Sequence, residues 1–227
     1  MHIHMPKALH SLREAMGEIA IVVVGIVIAI ALEQGVEQLH WASEVGKARA
    51  SLHSEMAHDN RSFAFRVAAE PCIGRRLDEL EQVIEASARH ERVPHLGRLI
   101  PDIGNALNDN IWQDHRAAQT LTHFKDDELD GLGAYYMQVG SIRGFIGEEV
   151  QAWGVLRVLQ GDPARLGPAD IAGLRVAIQH ARFDNFIIAG IAKDQLDAAR
   201  SLGAPVRPAD AARVAEVCAP LPVTTTP

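Results

Sequence analysis

A chain of 227 residues suffices for one domain of ordinary size plus an appendage. Its 48% hydrophobic content excludes a disordered polymer, and an aromatic share of only 5% favours helices packed through Ala, Leu, Ile and Val over a β-sandwich. The formal charge of −7 argues against function on nucleic acid or anionic lipid heads, because an acidic surface repels phosphate.

The first element is apolar. From Ile19 to Leu32 the sequence reads IAIVVVGIVIAIAL without a polar residue. Fourteen such residues make about 21 Å of helix, and starting at Ala15 extends this to about 27 Å, close to a hydrocarbon core of roughly 30 Å. A soluble core helix would carry a polar stripe, and this run has none. We therefore expect a transmembrane helix over 15–32. Lys7 and Arg13 precede it, while Glu33, Glu37 and Glu44 follow. Retention of positive residues predicts a cytoplasmic tail at 1–14 and an extracytoplasmic, periplasmic remainder. Lys7 and Arg13 cancel Glu14 and Glu18, so the remainder carries the whole net charge of −7. Ala29-Ile30-Ala31 has the small-x-small form that a signal peptidase cuts. No turn residue precedes that site, which favours an uncleaved signal anchor and leaves cleavage as the alternative. Gly25 and Ala29 form a small-xxx-small pair able to bring two anchors close; lipid-facing small residues are the plainer reading.

Beyond Leu32 no proline intervenes before Pro71. Val45, Leu52, Met56 and Phe63 form an apolar stripe, so the anchor helix is expected to continue as one rod into the domain. Trp41 fits either the headgroup region or the domain core. Pro71 predicts the start of a second helix, since proline suits the first helical position. Cys72, Ile73, Leu77, Leu80 and Ile84 would be its buried face, with an end near His90. From Val93 to Asn110, Pro94, Gly97, Pro101 and Gly104 read as loop. Asn108 or Asp109 is placed to cap a short helix through Trp112.

A long helix is predicted from Asp126, with Leu132, Tyr136, Val139, Ile146, Val150 and Trp153 as its apolar face, stopping at Gly161-Asp162-Pro163. Gly167-Pro168-Ala169-Asp170 starts another, carried by Ile171, Leu174, Ile178, Ala181, Ile188 and Leu196 to Gly203. Arg207-Pro208-Ala209-Asp210 starts a last short helix ending around Cys218. Residues 220–227 are expected to be a disordered tail. The class is all-α: a transmembrane helix leading into a domain over 33–219 with about four main helices.

Cys72 and Cys218 are the only cysteines, and in an oxidising compartment they read as one disulfide. A reactive Cys72 thiol beside Arg75 and Arg76, or two buried unpaired thiols, are the alternatives. The eleven histidines show no ligand spacing: His2 and His4 sit in a tail, His53 and His58 lie off a common face, and no HExxH or CxxC occurs. No metal or cofactor is expected. Glu148 and Glu149 point about 100° apart on a helix and are read mainly as surface acids, with one of them facing the core near Trp153 as the alternative. Asn185 falls on the apolar stripe between Ala181 and Ile188; it would fix register through a hydrogen bond or, with Trp153, line a small polar pocket. No nucleophile–base set, P-loop or dinucleotide fingerprint is readable, so an enzyme is not expected.

The segment Leu12-Arg13-Glu14 through Gly25 and Ala29-Ile30-Ala31-Leu32-Glu33-Gln34, with Asn110-Ile111-Trp112 and Tyr135-Tyr136, resembles a group of bacterial single-pass membrane-anchored helical proteins that carry a domain of unknown function. The resemblance covers the anchor well and the rest loosely. It implies a single-pass protein and transfers no catalytic or binding residue. The expected role is a periplasmic interaction or structural protein held in the bilayer, partnered by a second copy or by another membrane or periplasmic protein. The alternative is a small-ligand-binding or sensing domain that acts through a partner.

Overall fold

The computed structural model describes residues 12–99, 107–161 and 165–224. The tail with His2, His4 and Lys7, the loop positions Pro101 and Gly104, and the expected stop at Asp162-Pro163 lie outside the described residues. The chain is all-α, with five helices among the described residues: α1 Leu12–Ala88, α2 Asn110–Ala117, α3 Asp126–Leu156, α4 Pro168–Ser201 and α5 Ala211–Cys218. Short 3₁₀ turns occupy Thr120–His123 and Arg157–Gln160.

Two compact units divide the chain, Met1–Lys47 and Ala48–Pro227. In the first, α1 carries the apolar run. By length and composition it can cross a membrane, and the large side chains between Ile19 and Leu32 are 48–74% exposed. The second unit has its own core, and the first buried side chain among the described residues is Ala48. Packing of the domain thus begins at residue 48 rather than at 33.

Within the second unit, α1 does not break at Pro71. Proline inside a helix costs about 3 kcal/mol through a lost hydrogen bond and a clash with the preceding turn. The residues that follow outweigh this: Ile73, Leu77, Leu80 and Ile84 are fully buried, each contributing roughly 1.5–3 kcal/mol. Pro71 itself is exposed. Cys72 accordingly sits in mid-helix rather than in a first turn. α1 ends at Ala88, and His90 turns the chain with φ 54°.

The core joins α1 to α3 and α4 through Phe65, Ile73, Leu77, Leu80, Trp153, Leu156, Leu174 and Ile178, with Val217 of α5 closing one side. α4 starts where Gly167-Pro168 predicts, and the Asp170 carboxylate accepts the Gly167 N–H at 2.8 Å. It ends in a Schellman arrangement. Gly203 adopts φ 74°, its N–H reaches Arg200 O at 3.0 Å, and the Ala204 N–H reaches Ala199 O at 2.9 Å. α5 is capped by Asp210, which accepts the Ala212 N–H at 2.9 Å, so the helix begins after the acid rather than at Pro208.

The expected disorder from residue 220 requires correction. Val223–Thr224 (β2) pairs antiparallel with His95–Leu96 (β1), Leu96 opposite Val223. The Gly97 N–H also donates to Pro222 O at 2.8 Å. Pro220 and Pro222 lack donors but not acceptors, and the neighbouring disulfide at Cys218 holds the strand within reach of its partner.

Candidate functional site

Three polar features interrupt the apolar faces of the second unit. The deepest lies where α1, α3 and α4 meet. Arg66 on α1 donates two hydrogen bonds to Glu149 on α3, at 3.0 and 2.9 Å, and a third to Asn185 Oδ1 on α4 at 3.3 Å. The Asn185 amide nitrogen donates to the Glu70 carbonyl at 3.1 Å. Arg66, Glu149, Asn185 and Trp153 are all buried. Burial pushes the Glu149 carboxyl above its ordinary value; the Arg66 guanidinium opposes this, and Asp184 adds to the rise.

This changes two readings of the sequence. Glu149 is not a surface acid, whereas its neighbour Glu148 is exposed. Asn185 and Trp153 are both buried, and the Asn185 side chain is spent on Arg66 and on the Glu70 carbonyl. Asn185 thus makes the hydrogen bonds to α1 that a register-fixing amide requires. A bidentate pair of this kind specifies which faces of three helices meet, more than it adds net stability.

The second feature explains α2. Asp109 occupies the N-cap position but makes no side-chain cap bond. The cap comes from α1 instead. Glu55 accepts the N–H of Ile111 at 2.9 Å and of Trp112 at 3.3 Å, so its charge sits on the positive end of the helix dipole. One turn along α1, Asp59 accepts the Asn108 N–H at 3.1 Å. Burial pushes the Asp59 carboxyl up to about 7, relieved by the Asn108 N–H and raised further by Glu55. Beside these acids Trp112 stacks on Tyr136 with centroids 4.9 Å apart, and the Tyr135 hydroxyl donates to Asn60 at 3.2 Å.

Cys72 on α1 and Cys218 at the end of α5 are joined, with Cα atoms 4.9 Å apart. The bond closes a loop across 146 positions, for which chain entropy predicts a contribution approaching 5 kcal/mol.

The third feature is open. The Schellman turn at Gly203 and the prolines at 205 and 208 lead the chain back along α1, and Asn60 Nδ2 fastens it by donating to Pro205 O at 3.0 Å. Two adjoining hollows result. One, of ≈ 550 Å³, is lined by His58, Arg61, Phe65, Arg207, Pro208 and Arg213 among others. The second, of ≈ 390 Å³, shares His58, Arg61 and Arg207 and adds His53. Sequence reading missed this groove. Its cations come from segments 150 residues apart in the chain, and neither stretch reads as a motif alone.

Among the described residues no group of three His, Cys, Asp or Glu side chains is arranged to hold a metal ion. The fold and its polar features define a disulfide-linked helical domain preceded by an apolar helix. No protein-family model, curated protein or solved structure matches the chain.

Proposed function

We propose that the chain is a single-pass inner-membrane protein, N-terminus in the cytoplasm, whose helical domain works in the periplasm as a non-enzymatic interaction or structural module. The observation that carries this reading is the uncovered apolar surface from Ile19 to Leu32. Water does not tolerate such a contiguous patch, and lipid removes the cost. The Cys72–Cys218 bond supports an oxidising location. The acidic surface and the use of buried charges for packing fit a domain that meets another protein, a second copy or a different membrane or periplasmic protein, rather than one that performs chemistry. The likeness to single-pass bacterial proteins in the anchor is consistent with this.

The test is a topology experiment on the intact chain. Alkaline extraction should leave it in the membrane, and a C-terminal alkaline phosphatase fusion should be active while a fluorescent-protein fusion stays dark. Release into the soluble fraction, or the opposite fusion pattern, would overturn the reading. Intact mass then separates an uncleaved anchor from a chain cut after Ala31. A second reading, a small-ligand-binding or sensing domain acting through a partner, is favoured by one observation: the open groove between α1 and residues 205–213.

A further inference from the structure

We infer that this groove is a binding site for a small organic polyanion, one that presents phosphoryl or clustered carboxylate oxygens. The inference goes beyond the anchored-module reading and does not depend on it. The chain as a whole is acidic, with 29 Asp and Glu against 22 Lys and Arg, yet the groove reverses the sign. Arg61, Arg207 and Arg213 line it together with His58, and among the described residues Asp210 is the one acid on its wall. Asp210 Oδ1 accepts the backbone N–H of Ala212 and of Arg213 at 2.9 and 3.4 Å, so one capping carboxylate stands against three arginines.

The contrast with five arginines that are paired across the fold is informative. Arg49, Arg66, Arg143, Arg175 and Arg182 are each matched to a carboxylate from another part of the fold. Among the described residues Arg61 and Arg207 have no carboxylate partner. Two guanidinium groups thus face a cavity with no carboxylate opposite them, an arrangement that oxyanions fill with paired, charge-assisted hydrogen bonds.

The remaining groups are preorganised. The Arg213 guanidinium lies 4.1 Å over the buried Phe65 ring, which fixes its plane at the floor. Arg61 Nη2 is 3.1 Å from His58 Nδ1. A guanidinium only donates, so Nδ1 accepts and the ring hydrogen of His58 sits on Nε2, a further donor. Pro208 beside Arg207 limits the backbone freedom that binding would otherwise have to remove. A volume of ≈ 550 Å³ suits a metabolite-sized ligand, and Pro208 offers apolar contact to its uncharged part.

The test is calorimetric titration of the full chain in nonionic micelles with two probes, inorganic pyrophosphate and citrate. At least one should bind saturably and one-to-one; preference for pyrophosphate marks a phosphoryl ligand and preference for citrate a polycarboxylate. Arg61→Ala and Arg207→Ala should each weaken binding about tenfold. Arg157→Ala, an exposed arginine away from the groove, should leave it unchanged. A readout on unmutated protein backs this up: phenylglyoxal labelling of Arg61 and Arg207, followed by mass spectrometry, should slow with the bound probe while labelling of Arg157 does not. Absence of saturable binding for both probes, equal loss in Arg157→Ala, or labelling that ignores the probe would overturn the inference.

Discussion

Arg66→Met tests whether the buried pair organises the domain. Methionine retains much of the arginine's volume, but Glu149 loses both guanidinium hydrogen bonds, at 2.9 and 3.0 Å, and Asn185 loses the third at 3.3 Å. Glu149 is 1% exposed, so water cannot replace what is lost. An uncompensated buried charge costs about 3–5 kcal/mol, which for a domain of this size lowers the melting temperature on the order of 6–20 °C. The pH dependence has a definite sign. Glu149 already titrates above its ordinary value because of burial, and removal of Arg66 raises it further. A carboxyl whose folded value exceeds its unfolded value loses stability as pH rises through the folded value and regains it as pH falls. The deficit of Arg66→Met should therefore be largest at pH 8 and shrink at pH 5. Adding Glu149→Leu should recover more than half of it, since a hydrophobic replacement of both partners leaves no charge stranded. Urea denaturation of the full chain in nonionic micelles, followed by tryptophan fluorescence, measures all three. A deficit under about 1 kcal/mol at pH 8, or a double variant no better than the single, would refute the reasoning.

Other consequences are equally direct. Asp59→Asn keeps an acceptor for the Asn108 N–H but removes a carboxyl pushed up to about 7, so the variant should gain on wild type by on the order of 2–3 kcal/mol as pH rises from 5 to 8, by the same denaturation assay. Glu55→Ala uncaps α2 at a cost of about 1–2 kcal/mol, and amide exchange at Ile111 and Trp112 should accelerate selectively. Reduction of Cys72–Cys218 should lower stability by about 2–5 kcal/mol; an unchanged melting curve after reduction would contradict that account. With the apolar run in lipid as proposed, Ile26→Lys places a charge at its middle at a cost of about 2.5–3.5 kcal/mol, and alkaline extraction should then release a measurable fraction of the chain.

The helices were largely legible because their signals are local. The Gly167-Pro168 start of α4 and the Gly203 stop are written in adjacent residues, and the apolar run from Ile19 needs only composition. Pro71 misled for a complementary reason: its local penalty is real, but burial of Ile73 and Leu77 against distant helices outweighs it. The apolar face predicted for α3 included Val150, which is exposed. The residue that turns inward is Glu149, and a count of hydrophobic positions cannot select a glutamate whose neutralising arginine lies 83 positions away. Glu55 and Asp59 were invisible for the same reason: their partners are backbone groups of residues 108–112. Asn185 was recognisable because a lone amide on an apolar stripe needs a buried partner wherever that partner comes from. The cysteines were pairable because only two exist.

The bond between Cys72 and Cys218 also determines how the molecule would bear a load. Tension applied between the two ends of the chain would run along α1 to Cys72, cross the sulfur atoms and leave through the last few residues. The intervening helices would feel almost none of it while the bond stands. In a single-molecule pulling experiment, the 146 positions it spans would add roughly 500 Å of slack only after a reductant is introduced.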